Sequence, residues 1–119
     1  MTTPAIVIAD TFDQACERLE TTDAKRADVF VDKLAADPTQ AGMRFEIVRK
    51  QSDRNMRSAR VSLELRAIGY LYGETLTLLW VDHHDAAYRW ARSKCVECHP
   101  ITGHVISVTD APGTEAAAQ

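Results

Sequence analysis

Nothing in this sequence is apolar over a length that could cross a membrane. The opening MTTPAIVIAD also lacks the basic start and apolar middle of a secretory signal. The expectation is therefore a cytoplasmic protein with no membrane partner. Cysteine is scarce and odd in number, three in all, which argues against a disulfide framework. No internal repeat is visible. At 119 residues the chain is long enough for one domain with a real core and too short for two.

Metal and haem chemistry are equally thin. Cys95-Val96-Glu97-Cys98-His99 spells the string at which haem c is attached. Covalent haem attachment implies export, however, and Pro100 pushes His99 into an extended conformation. In an extended segment Cys95 and Cys98 point to opposite faces. A structural zinc site needs four ligands, and His99 and His104 would have to complete it. The cysteines are read as incidental, and no metal, haem or other cofactor is expected.

Charge is what the chain distributes unevenly. The formal net charge is −3. Residues 1–43 carry four Lys/Arg against eight Asp/Glu, and residues 67–119 carry three against six. Residues 44–66 reverse the balance, with seven against three. Arg44, Arg49, Lys50, Arg54, Arg57, Arg60 and Arg66 thus make a basic island in an acidic chain. Such an island can hold a phosphate backbone, and a solvated sheet face would look the same.

The elements follow from periodicity and punctuation. Residues 5–9 read as a strand after Pro4. Thr11 or Asp10 caps a helix through Phe12, Ala15, Cys16 and Leu19, and Thr22 or Asp23 caps a second with Ala27, Phe30, Val31 and Leu34 inward. The second ends at Asp37-Pro38, and the two form an antiparallel helical hairpin. Strands are expected over 43–48, 57–65 and 67–72, with a polar loop over 50–55. Arg60 alternates away from the apolar set, whereas Arg57 shares its parity. Tyr72-Gly73-Glu74 turns into an apolar strand of Leu76, Leu78, Leu79, Trp80 and Val81. Thr102-Gly103 marks a further turn before a last strand over 104–108, and the tail from Asp110 reads as disordered or the start of a linker. Together these predict an α+β domain, a mainly antiparallel twisted sheet with helices on one face.

The strand of Leu76 runs into a helix expected to start at Asp82, with Asp82 as cap and Asp85 three residues on. Ala87, Trp90, Ala91 and Lys94 share one side, which Trp90 should bury. His84, Tyr88 and Arg92 recur every four residues as a polar stripe, and Asp85 can pair with Arg89. A helix N-terminus favours a neutral His84, while Asp82 and Asp85 oppose that. The stripe is either a site or a solvated helix face.

This order of elements resembles the RelE/ParE toxin superfamily, with an Arg-rich strand and then a strand entering a motif of the type HR-x-x-x-Y. The matching residues are Arg57 and Arg60 in RSAR, Arg66 in LRAI, and His84 and Tyr88 in VDHHDAAY, within about residues 4–94. The longer string LLWVDHHDAAYRWA, with Pro100, Thr102 and Gly103 after it, is similar to the RelE-like domain at the start of some superfamily I, UvrD/Rep-type helicase-like proteins. The resemblance implies a single RelE-like domain over 1–109. It also implies metal-free mRNA cleavage at the ribosome, in which the 2′-hydroxyl attacks the adjacent phosphate. Arg57, Arg60 and Arg66 would stabilise phosphate charge, His84 would be the acid or base, and Tyr88 would stack on a base or orient the nucleophile. Arg44, Arg49, Lys50 and Arg54 would bind RNA. The implied partners are RNA or the ribosome and an antitoxin protein. The alternative is a non-catalytic RelE-like module that binds nucleic acid or protein and works with a helicase.

Overall fold

The computed structural model describes residues 4–111. One five-stranded sheet organises it. Its strands are β1 (Ala5–Ile8), β2 (Glu46–Ile47), β3 (Met56–Arg60), β4 (Leu65–Tyr72) and β5 (Thr75–His83), arranged β1-β5-β4-β3-β2. β1 runs parallel to β5, and the other neighbours are antiparallel. The helical hairpin is α1 (Asp10–Glu17) and α2 (Thr21–Ala36). α2 ends before Pro38, where proline removes a donor and disfavours helix in the residue before it.

Several boundaries differ from the sequence reading. A turn of 3-10 helix (Pro38–Gln40) and a short α3 (Ala41–Arg44) occupy the start of the expected strand over 43–48, so only Glu46 and Ile47 pair. The helical turn delivers Phe45 against Phe30 of α2, ring centroids 6.1 Å apart. The strand expected over 57–65 stops at Arg60, and β4 starts at Leu65 rather than at residue 67. Val61 and Ser62 both donate backbone N–H groups to the Leu65 carbonyl, at 3.0 and 3.4 Å, and Ser62 Oγ accepts from Leu65 N. These bonds close a turn that contains neither glycine nor proline, so nothing in the local sequence announced it.

Both faces of the sheet are covered. Phe12 and Ala15 of α1 and Ala27, Phe30 and Leu34 of α2 pack on Ala59, Ala67, Leu76, Leu78 and Val81. The other face carries Met56, Ile68, Tyr70 and Leu79 under α4 (His84–Ser93) and a two-stranded hairpin of β6 (Lys94–Cys98) and β7 (Val105–Asp110). Helices on one face only is therefore corrected: β4 and β5 are apolar on both sides of their pleat, and water cannot be left against either. A bulge between Ile68 and Gly69 shifts the β4–β5 register midway.

Cys95 is exposed and Cys98 half-buried on β6, which is extended as read, and all three cysteines are free. Among the described residues no three His, Cys, Asp or Glu side chains are grouped to hold a metal, and no helix is long and apolar enough to cross a membrane. The last strand runs two residues further than expected. Asp110 closes β7 with its carboxylate on Lys94 Nζ, and Ala111 N donates to Ser93 O at 2.8 Å. The rest of the tail, 112–119, lies outside the described residues.

Candidate functional site

β5 keeps its ladder through Asp82 and His83, which lie opposite Arg66 and Leu65. The helix expected from Asp82 therefore starts two residues later, at His84. Asp82 Oδ1 accepts the N–H of His83 at 2.8 Å instead of capping α4. The His84 N–H, one of the donors that a helix start leaves unpaired, goes to the Glu64 carbonyl at 2.7 Å. That bond fastens the entry of α4 to the turn between β3 and β4.

The helix divides as its spacing requires. Ala87 and Ala91 are fully buried. Trp90 stacks on Trp80 at 4.9 Å with an interplanar angle of 4°. His84, Tyr88 and Arg92 face an open pocket of about 380 Å³, whose other wall is Glu46, Ile47, Arg49 and Ser58. The strand register explains this wall. Glu46 lies opposite Ser58, so both stand on the same side of the pleat. Ser58 Oγ donates to Tyr88 Oη at 3.3 Å, which places that side under α4.

Within the pocket the imidazole of His84 meets the Tyr88 ring edge-on, centroids 4.8 Å apart at 73°. His84 Nδ1 lies 2.9 Å from Asp85 Oδ1. Asp85 turns to His84 and forms no ion pair with Arg89. The hydrogen bond from His84 and then its charge hold the Asp85 carboxyl below the usual range, with Arg89 and Arg92 adding to the pull. Because Nδ1 is occupied, Nε2 is the nitrogen presented to a substrate.

The arginines divide between the faces. Arg60 and Arg66 are cross-strand partners on the Ser58 side of the sheet. Arg57 lies opposite Ile47 and Gly69, on the side of the helical hairpin, and its Nε donates to Arg54 O at 2.9 Å. The five residues expected to converge are thus four and one, because Arg57 has the wrong parity. Arg66 Nη1 is spent on the β3–β4 turn, donating to the carbonyls of Ser62 and Leu65 at 2.9 Å each. Arg60 is exposed. Arg44 stacks over Phe30 at 4.9 Å, on the hairpin side, and Arg54 is exposed in the loop.

Arg49 is the member of the basic island that lines the pocket, facing Arg92. Lys50 next to it has φ 64, a left-handed conformation rare for a residue with a side chain. It reverses the chain so that Gln51 can reach the end of α4, where Nε2 donates to Ala91 O at 2.7 Å and Lys94 O at 3.2 Å. Asp53 Oδ2 accepts from Tyr70 Oη at 2.6 Å and fixes the same loop to β4. Sequence reading missed Glu46 and Ser58, and it placed Arg92 on the polar stripe without giving it a part in the chemistry. The pairing of Glu46 with Ser58 would have found them, and it depends on knowing that β2 is two residues long.

A carboxylate, an imidazole, a phenol and two guanidinium groups therefore converge on an open, polar pocket. They can exchange protons and stabilise phosphate charge without enclosing a small molecule. No protein-family model matches the sequence, and no curated protein matches it significantly. Solved structures do resemble it. A chain of the toxin–antitoxin complex RelBE2 from Mycobacterium tuberculosis superposes with a TM-score of 0.53 at 16% identity, over 70% of this chain and 100% of that one. YafQ from E. coli superposes with a TM-score of 0.53 at 16% identity, over 70% of this chain and 96% of its own. The fold is thus that of the RelE and YafQ toxins.

Proposed function

We propose that the pocket between α4 and β2 binds single-stranded RNA and cleaves it without a metal, as a toxin-type endoribonuclease acting on mRNA at the ribosome. One observation carries this reading: His84, Tyr88 and Arg92 on α4 face Glu46 and Arg49 across a single open pocket. Arg49 and Arg92 hold the scissile phosphate. The Glu46 carboxylate takes the proton of the 2′-hydroxyl, and the freed oxygen attacks the adjacent phosphorus. The bond to the 5′-oxygen breaks, and that oxygen receives a proton from Nε2 of His84, whose Nδ1–H faces Asp85. The products are a 2′,3′-cyclic phosphate and a 5′-hydroxyl. Tyr88 presents a ring edge and a hydroxyl to the nucleotide. Arg60, on the same face, extends the cationic surface beyond the pocket. The fold supports an antitoxin as partner, since a similar chain was solved in a toxin–antitoxin complex.

The test is mRNA cleavage on programmed ribosomes, with the wild-type chain and with His84→Ala. Cutting by the wild type that the substitution abolishes supports the proposal, and RNA binding without cutting defeats it. One observation favours the non-cleaving half of the second reading, a RelE-like module that binds without cutting. Arg66 is tied to turn carbonyls and Arg57 to Arg54 O, so two of the three motif arginines are already engaged.

A further inference from the structure

At the edge of the sheet opposite the His84 pocket, β1 and β7 border an open cleft of about 370 Å³, a size that suits a small molecule. β1 pairs with β5 on one side only, and β7 with β6 on one side only, so two free strand edges flank it. Thr75 Oγ1 donates to Thr102 O at 2.8 Å and seats the β6–β7 hairpin on β5. Thr77, two residues on, shares that side of the pleat and lines the cleft at 1% exposure. The cleft is bordered by unmade hydrogen bonds. Thr11 Oγ1 and Thr77 Oγ1 are buried without a partner, and both residues line it. Among the described residues the only other such side-chain atom is Trp80 Nε1. A buried polar group without a partner is costly, and two beside one cleft point to a group that satisfies them. In β1, Ala5 N donates to Glu74 O at 2.7 Å and Ala9 N to Leu78 O at 3.0 Å. Parallel pairing alternates along the strand, so the N–H and C=O of Ile8 point away from β5. No Lys or Arg lines the cleft, and Asp10 is its one carboxylate. That carboxylate repels an anion, while the start of α1, which has no side-chain cap, repels a cation. The remaining wall is aliphatic, with Val7 and Val105 half-buried and Ile8 and Ile106 exposed at 43% and 62%. His104 adds an exposed ring.

We infer that this cleft is a binding site for an uncharged nucleobase. A base edge sets a donor beside an acceptor, which matches the outward N–H and C=O of Ile8 and the two threonine hydroxyls. The flat faces of a base suit the valines and the His104 ring. A free nucleoside and a base carried on RNA offer this same chemistry. No cation lines the cleft to hold a phosphate, so a nucleoside fits it better than its nucleotide. The inference does not depend on cleavage at the His84 pocket, which borders β2 at the other edge of the sheet.

The test titrates the whole chain with uridine, cytidine, adenosine and guanosine, with ribose and an oligouridylate as comparators, and maps binding by amide NMR shifts. At least one nucleoside should bind saturably and shift Ile8, Thr11 and residues 105–108, and ribose should not. Its 5′-monophosphate should bind less well, and Asp10→Asn should narrow that difference. Thr77→Val and, separately, Thr11→Val keep the side-chain shape and remove a hydroxyl, and each should weaken binding about tenfold. Neither hydroxyl has a partner to lose, and circular dichroism checks that the fold is kept. Binding of a free nucleoside makes the ligand a small molecule. Shifts at the same residues from oligouridylate, with none from the nucleosides, make it a base carried on RNA. Either result supports the base site. No shifts from any probe, shifts confined to the His84 pocket, equal shifts from ribose, or affinity indifferent to both hydroxyls overturns the inference.

Discussion

The side-chain amide of Gln51 donates to the Ala91 carbonyl at 2.7 Å, closing the last turn of α4 with a residue 40 positions earlier in the chain. Arg49 is two residues before it and Arg92 one residue after Ala91. The two guanidinium groups of the pocket are therefore held in register by a neutral amide that does not itself line the pocket. Gln51→Ala should cost about 1 kcal/mol in urea denaturation and weaken RNA binding. Gln51→Glu keeps the size but cannot donate, so it should behave like alanine. If glutamate is tolerated, the amide bond is not what positions the loop.

RNA binding should report which arginines face phosphate. Log affinity against log salt should fall with a slope of about −0.7 for each phosphate neutralised on a single strand. Arg49→Ala and Arg92→Ala should each make the slope shallower by about that amount. Arg57→Ala, on the other side of the sheet, should leave it unchanged. His84→Ala should keep affinity and lower cleavage by about 10²–10⁴-fold. Tyr88→Phe keeps the ring and loses the contact with Ser58. Anisotropy titrations at several salt concentrations, with ribosome cleavage alongside, separate these outcomes.

Two turn glycines should respond differently to a methyl group. Gly73 has φ 58 and open space around its missing side chain, so Gly73→Ala should cost only about 1 kcal/mol. Gly103 has φ 75, and a Cβ there would sit 2.8 Å from the Tyr72 carbonyl oxygen. Backbone strain and a clash against main chain then add, so Gly103→Ala should cost roughly 3 kcal/mol or more. Thermal melts of the two variants give the comparison.

Thiol modification should follow burial. Burial, and after it Asp28 and Asp13, push the Cys16 thiol up to about 11. A raised value means that the neutral thiol persists, so at pH 8 roughly one Cys16 in a thousand is thiolate. Cys98 is also pushed up, by burial first and then by Asp53 and Glu97. Cys95 is exposed. Alkylation mapped by mass spectrometry should find Cys95 first, then Cys98, and Cys16 last. The Cys16 rate should climb about tenfold per pH unit until pH nears 11.

Much of this molecule was legible in one dimension. The four-residue recurrence of His84, Tyr88 and Arg92, with Ala87 and Ala91 behind them, is a local property of a helix. It survived even though the helix begins two residues later than its capping residues implied. The hairpin of α1 and α2 and the two-residue turn at Gly73 were read correctly for the same reason: spacing and turn chemistry act over a few residues. The opposite parity of Arg57 and Arg60 was also visible, yet the two were expected to converge, and the strand pairing holds them on opposite faces.

Other features depend on partners distant in sequence. The split at residues 61–64 is made by hydrogen bonds to Leu65, without glycine or proline to mark it. The start of α4 is set by the Asp82–Arg66 and His83–Leu65 pairings, which outcompete a local cap. Glu46 enters the pocket because a two-residue strand pairs with Ser58, and Arg49 because Lys50 adopts a left-handed turn that Gln51 secures on α4. By itself the sequence determined which residues share a helix face or a strand side, since the periods of 3.6 and 2 are set by backbone geometry. The tertiary structure alone decided which of those faces meet, because strand register and loop clips are settled by contacts between segments far apart in the chain.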